Sequence, residues 1–171
     1  MSQIDFYHFP TDRVWTRDSG PIFVVNGAGQ IAVTDWKFNA WAKYSNWHRD
    51  NLLPGKIAKV LGLPVWKPCF EKRHVVLEGG SIDVDGAGAL LTTEECLLDT
   101  VQARNPGIAR TDLERLIQNY LGVKKILWLG RGIAGDDTHG HVDDLARFVA
   151  GGQVVTVVEE DRADPNFEPL Q

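Results

Sequence analysis

The sequence predicts an α/β chain of repeated strand–strand–helix–strand modules with a period near sixty residues. Three observations predict it. The pair Leu61-Gly62 recurs sixty positions later as Leu121-Gly122. Acids stand at matching places: Asp18 precedes Glu78 by sixty positions and Glu78 precedes Asp143 by sixty-five, each at the start of a predicted hairpin. Each hairpin turns on glycines, in Asn26-Gly27-Ala28-Gly29, in Asp85-Gly86-Ala87-Gly88 and at Gly151-Gly152. Self-similarity at a fixed period outranks local propensity as a guide to architecture. Repeats set around an axis bring equivalent positions together, so Asp18, Glu78, His141 and Asp143 are expected to converge on one central site.

Taken in order, Ile4 to Phe9 reads as a short strand. Ile22 to Val25 and Ile31 to Phe38 form a hairpin, because Asn-Gly tolerates the positive φ of a tight turn. After a loop carrying Phe38-Asn39-Ala40-Trp41, residues Asn51 to Leu61 have helical spacing, with Pro54 in or just before the first turn and Gly62 at the end. Pro64 to Cys69 is strand-like. The order then recurs: Ile82 to Val84, a turn, and Ala89 to Thr93. A loop holds Asn105-Pro106-Gly107. Thr111 with Glu114 three residues on resembles a capping box, and Leu113, Leu116, Ile117, Tyr120 and Leu121 give the helix an apolar face. Ile126 to Leu129 closes the second pass. The third runs through a strand ending at Val149, the turn at Gly151-Gly152, and Val154 to Val158.

At 171 residues, 43% of them apolar, the chain suits a single domain with a real core. A net charge of −5, with no Lys/Arg block longer than a pair, argues against nucleic acid and anionic membranes and favours a cationic ligand. No apolar stretch approaches a bilayer span, and Met1-Ser2-Gln3-Ile4-Asp5 lacks the features of a signal peptide. Cys69 and Cys96 fit no zinc or redox spacing and read as buried thiols of a cytoplasmic protein. Six tryptophans suggest aromatic walls around a pocket. The frame starts on a module's closing strand and stops after a third hairpin. Residues 1–171 are therefore expected to be one partial domain of about two and a half modules, a fragment or a chain completed by association with further copies.

The densest chemistry lies in Gly135 to Asp144, with four carboxylates and two imidazoles in ten residues. Carboxylates this close favour a cation, a metal or a shared proton. Asp18 alone could be a turn former beside a solvated arginine. Glu78, before paired glycines, has little local turn purpose. His141 and Asp143 share a face if that segment is extended. Two chemistries fit. In one, carboxylates grip a guanidinium fork-to-fork while an oriented His141 shuttles protons and a thiolate attacks the polarised carbon. In the other, His139, His141 and Asp143 hold a metal that activates water. That spacing is similar to the His-x-His-x-Asp-His signature of metallo-β-lactamase-like hydrolases, except that Asp144 stands in the last position. A third reading is a non-catalytic fragment that binds a cation.

Three segments together resemble the agmatine deiminase family, which includes the bacterial-type peptidylarginine deiminases. They are Trp15-Thr16-Arg17-Asp18-Ser19-Gly20-Pro21, Leu77-Glu78-Gly79-Gly80-Ser81-Ile82 with Leu91-Thr92-Thr93-Glu94-Glu95-Cys96, and Asp137-Thr138-His139-Gly140-His141-Val142-Asp143. The resemblance implies the five-module α/β propeller (pentein) fold and cofactor-free hydrolysis of agmatine to N-carbamoylputrescine and ammonia, with peptidyl-arginine the alternative substrate. It implies that Asp18 and Asp143 grip the guanidinium and that Glu78 holds His141, the general acid/base. Asp137 would face the substrate's amine end, and Trp15 would flank its aliphatic stem. His139 stands where the family commonly has Asn. The family's nucleophilic cysteine lies in a Gly-rich segment that matches neither Cys69 nor Cys96, so this chain is expected to be inactive alone.

Overall fold

The computed structural model describes residues 4–171, and Met1-Ser2-Gln3 lies outside them. A single helical turn, α1 (Thr16–Ser19), precedes an antiparallel hairpin of β1 (Ile22–Val25) and β2 (Ile31–Thr34), with Ile22 opposite Thr34. Asn26 shapes that turn with its side chain. Its Oδ1 accepts the N–H groups of Ala28 and Gln30, both at 3.0 Å, and the positive φ falls on Gly29 instead of on the Asn-Gly pair. Helix α2 (Leu53–Leu61) has Pro54 in its first turn, where a missing N–H costs nothing, and ends on left-handed Gly62. The chain returns as β3 (Val65–Trp66), parallel to β2.

A two-residue-per-arm hairpin, β4 (Cys69–Phe70) with β5 (Arg73–His74), leads into the second sheet. There β6 (Asp83–Val84) pairs antiparallel with β7 (Ala89–Thr93), and β7 pairs in parallel with β8 (Lys125–Leu129). Helices α3 (Glu94–Leu98) and α4 (Arg110–Leu121) span the crossover. Both sheets thus place a hairpin beside a parallel strand that follows a helix. A separate hairpin, β9 (Ala146–Ala150) with β10 (Gln153–Thr156), follows.

The main core gathers Trp36, Val75, Leu77, Leu90, Cys96, Leu97, Leu113 and Ile117. Leu113 and Ile117, four apart on α4, are 1% and 0% exposed. Burying each such side chain stabilises by roughly 1.5–3 kcal/mol.

Several expectations need correction. Residues 4–9 form no strand: Phe6 is 91% exposed, and among the described residues no neighbouring strand offers these residues a ladder. The strand expected over Ile31 to Phe38 stops at Thr34, and Lys37 then makes an isolated parallel bridge to Val76. Thr111 does not cap α4, which starts two residues earlier than that cap would place it, with Ala109 at the cap position and no side-chain cap. Glu114 instead accepts from Arg110 Nε at 3.1 Å and Trp128 Nε1 at 2.8 Å. Cys69 is exposed, because β4 lies at the surface, while Cys96 is buried as expected. Among the described residues no helix is long and apolar enough to cross a membrane.

Candidate active site

Three segments far apart in sequence meet at His141. Its Nδ1 lies 3.7 Å from Asp18 Oδ1 and 3.8 Å from Asp143 Oδ1, and its Nε2 lies 3.8 Å from Glu78 Oε2. The ring is 3% exposed. These are ion-pair approaches, longer than hydrogen bonds. Both Glu78 Oε2 and His141 Nε2 are buried and make no hydrogen bond, although they face each other.

Each acid is placed by its own local device. The segment before α1 is pinned by Asp50, whose carboxylate accepts the N–H groups of Asp12 at 2.8 Å and Arg13 at 3.1 Å. Asp18 then accepts from Gly80 N through Oδ1 (3.1 Å) and from Trp41 Nε1 through Oδ2 (3.2 Å). Glu78 sits at the end of the segment bridged to Lys37, with Val76 held on both its N–H and C=O by the Asn105 amide. His141 and Asp143 leave a loop built around Asp136, whose carboxylate accepts the backbone N–H groups of Thr138, Gly140 and His141. The segment is not extended through Asp143, the condition on which His141 and Asp143 would share a strand face. His141 precedes a 3₁₀ turn, Val142–Asp144, and that turn is what brings Asp143 back beside the ring.

The paired glycines after Glu78 have a steric purpose. A Cβ on Gly79 would lie 2.1 Å from the Arg17 carbonyl oxygen, and one on Gly80 would lie 2.5 Å from His141 Nδ1 and 2.6 Å from Asp18 Oδ1. Gly80→Ala is therefore expected to cost about 1–3 kcal/mol, the range for overpacking, and to displace the His141 ring. Urea denaturation and the His141 side-chain resonances measure both, and a variant matching the parent in each would contradict this steric account.

The electrostatics are those of a crowded anionic site. Burial pushes the Asp18 carboxyl above its ordinary 3.8; His141 opposes this and nearby Glu78 adds to it. Burial alone would lower His141 from 6.5, but Glu78, then Asp18 and Asp143, outweigh it and raise its pKa. Glu78 runs the other way. Burial favours its neutral form, yet His141 and Arg104 together hold it below 4.5. Burial, then Glu78, pushes the Cys96 thiol well above 9.0. The donor atoms of Glu78, Cys96 and His141 approach within 4.8 Å. Within this trio one oxygen of Glu78 already accepts from Arg104 Nε at 3.0 Å.

The other expected residues stand apart from this convergence. Trp15 is 61% exposed, at the residue before α1. Asp137 is exposed and paired with Lys43, and it accepts from Tyr44 Oη at 2.8 Å. His139 parts from His141, which corrects the proposed His139–His141–Asp143 metal set. Positive φ at His139 (62°) and Gly140 (93°) turns the chain, so the His139 ring faces Asp99 at 3.2 Å and Glu95 at 3.8 Å.

Sequence reasoning missed Arg104, Trp41 and the loop-forming part of Asp136. It also missed that Arg17 Nε lies 3.7 Å from Asp143, so one of the chain's own guanidinium groups sits beside that carboxylate.

A family model for Porphyromonas-type peptidyl-arginine deiminase matches residues 1–171. A putative agmatine deiminase of Legionella pneumophila (strain Paris) is 39% identical over 173 residues, covering 98% of this chain and 47% of the relative. The solved agmatine deiminase of Enterococcus faecalis is 42% identical with a TM-score of 0.82, covering 91% of this chain and 42% of that one. A C. jejuni agmatine deiminase, solved as a Cys-to-Ser variant with substrate bound, is 34% identical with a TM-score of 0.84, covering 97% and 48%. The chain thus spans about half the length of these relatives.

Proposed function

This chain belongs to the Porphyromonas-type peptidyl-arginine deiminase family, and from that membership we propose that the site is the guanidinium-binding and proton-transfer half of an agmatine deiminase centre. One observation carries the reading. Asp18, Glu78 and Asp143 close within 3.8 Å of a buried His141, an anionic cluster in which the Asp18 carboxyl is raised by burial and by repulsion from Glu78. A guanidinium between Asp18 and Asp143 would relieve that repulsion and gain charge-assisted hydrogen bonds. Agmatine is favoured over peptidyl-arginine by the names of the relatives.

A thiolate attacking the guanidinium carbon gives a tetrahedral adduct. His141, as imidazolium, donates the proton with which ammonia leaves, and the carbon stays bound to sulfur. Neutral His141 then takes a proton from the water that attacks this carbon. The thiolate departs, and N-carbamoylputrescine remains. Glu78 would stabilise the imidazolium, Trp15 would flank the substrate's chain, and Asp137, beside Lys43, would mark the amine end.

Neither cysteine here suits the attack: Cys69 is on the exposed β4 arm, and Cys96 is buried with its thiol held protonated. The thiolate is assigned to a residue outside these 171. The two sheets and the β9–β10 hairpin are read as successive modules of an α/β propeller, about two and a half of them, and a further copy or further chain would complete it.

Calorimetry with agmatine, alongside an ammonia assay, tests this. Binding without ammonia release is expected. No binding would sink the guanidinium reading, and sustained turnover by the 171-residue chain would put the nucleophile at Cys96 or Cys69.

A further inference from the structure

We propose that Arg104 is the positioning residue of the Glu78–His141 pair: its buried guanidinium clamps one oxygen of Glu78, ties that carboxylate to the loop carrying His141, and limits how tightly the pair holds a proton. The inference rests on the reading of Glu78 and His141 as the proton-transfer pair. It concerns a residue with no route to the substrate, since the Arg104 and Glu78 side chains are both 0% exposed.

The geometry is a three-way fork. Arg104 Nε donates to Glu78 Oε1 at 3.0 Å, one terminal nitrogen donates to the Gln102 carbonyl at 3.0 Å, and the other donates to the Thr138 carbonyl. Thr138 lies three residues before His141, inside the loop organised by Asp136. One planar group therefore fixes the carboxylate, its own backbone and the histidine's loop relative to each other. Lysine, a single point charge, could not hold three acceptors in that plane. With Oε1 taken, only Oε2 is left to face His141 Nε2, and both of these buried atoms are without a hydrogen bond.

Charge follows from the same placement. A carboxylate as buried as Glu78 would take up a proton if it stood alone. The adjacent cation keeps it ionised. The groups facing His141 are Asp18 from α1, Glu78, Asp143 from its own turn and the Cys96 thiol from α3, while Arg17 lies against Asp143. Three carboxylates around one imidazole would trap it as imidazolium. A group that must both give and take a proton works best with an affinity near the working pH. Arg104 is the buried positive charge that opposes the three anions, so it lowers the proton affinity of the pair as a whole.

The test is an NMR titration of the 171-residue chain that follows His141 ring nitrogens and the Glu78 carboxyl carbon together, since the proton belongs to the pair. Arg104→Gln is expected to raise the pair's proton affinity on the order of tenfold. Arg104→Lys should keep the parental midpoint, because the charge remains, while amide exchange in residues 135–141 speeds up because the fork is lost. A folded Arg104→Gln variant with an unchanged midpoint would overturn the proposal, and so would an Arg104→Lys variant whose loop exchanges at the parental rate. Should Arg104→Gln not fold, the parent decides the matter. Its Arg104 Nε resonance must titrate with the same midpoint as His141, and a flat resonance would refute the coupling. No ligand enters these measurements, so failure here is distinct from failure of agmatine to bind.

Discussion

Glu78→Ala is expected to cost the chain about 3–5 kcal/mol of folding stability, the range for breaking a buried ion pair by removing one partner. Domains of this size are stable by only about 5–15 kcal/mol, so the variant should lie near the edge of folding. The cause is Arg104, left 0% exposed and without its counter-charge. Urea denaturation reads the loss, and a cost under about 1 kcal/mol would show that Arg104 finds water or another anion. Glu78→Leu combined with Arg104→Met should recover much of the loss, because replacing both charges by apolar groups removes the orphan. The acid limb of stability has the same origin. The folded pKa of Glu78 lies below its ordinary 4.5, so its contribution is present above pH 4.5 and disappears as pH falls through the depressed value.

The residues legible in sequence were those whose chemistry is written in spacing. Asp18, Glu78, His141 and Asp143 are the acids and the imidazole that the sequence singles out, and they meet at one ring because the α1 turn, the segment bridged to Lys37 and a 3₁₀ turn bring them there. The glycine turns and the Leu-Gly helix ends were legible for a local reason, since Gly62 and Gly122 take the left-handed conformation that β-carbons disfavour. Arg104 was not legible. It lies in an irregular loop before Asn105-Pro106, and only the tertiary meeting of that loop with Glu78 and Thr138 gives it a partner. Thr111 misled because a capping box is a local pattern, while the start of α4 is decided by the packing of Leu113 and Ile117 and by where Glu114 meets Trp128. His139 misled for a similar reason. Alternation along the sequence says nothing about the positive φ that turns its ring towards Asp99.

Asp143→Asn is expected to leave stability within about 1 kcal/mol of the parent while weakening agmatine binding roughly tenfold to a hundredfold. The contrast with Glu78 follows from surroundings. Asp143 is 20% exposed in its side chain and, among the described residues, pairs with Arg17 at 3.7 Å and His141 at 3.8 Å, so removing its charge leaves His141 its other two carboxylates. Its cost should appear when a guanidinium arrives, as the loss of charge-assisted bonds of about 1.5–3 kcal/mol. The pH dependence carries a second signature. His141 has a folded pKa raised above its ordinary 6.5, so its stabilisation of the free chain is complete below pH 6.5 and is lost as pH rises through the raised value. An imidazolium repels a guanidinium, so agmatine affinity should run oppositely, climbing as pH rises through that same value. Asp143 is one of the anions that raise it. Asp143→Asn should therefore also move the midpoint of the affinity profile towards acid, a shift that loss of a remote surface charge would not give. Calorimetric titrations with agmatine across that range, on parent and variant, read affinity and midpoint together. Equal affinities, or an affinity that falls with rising pH in the parent, would remove Asp143 from the grip and His141 from contact with the bound cation.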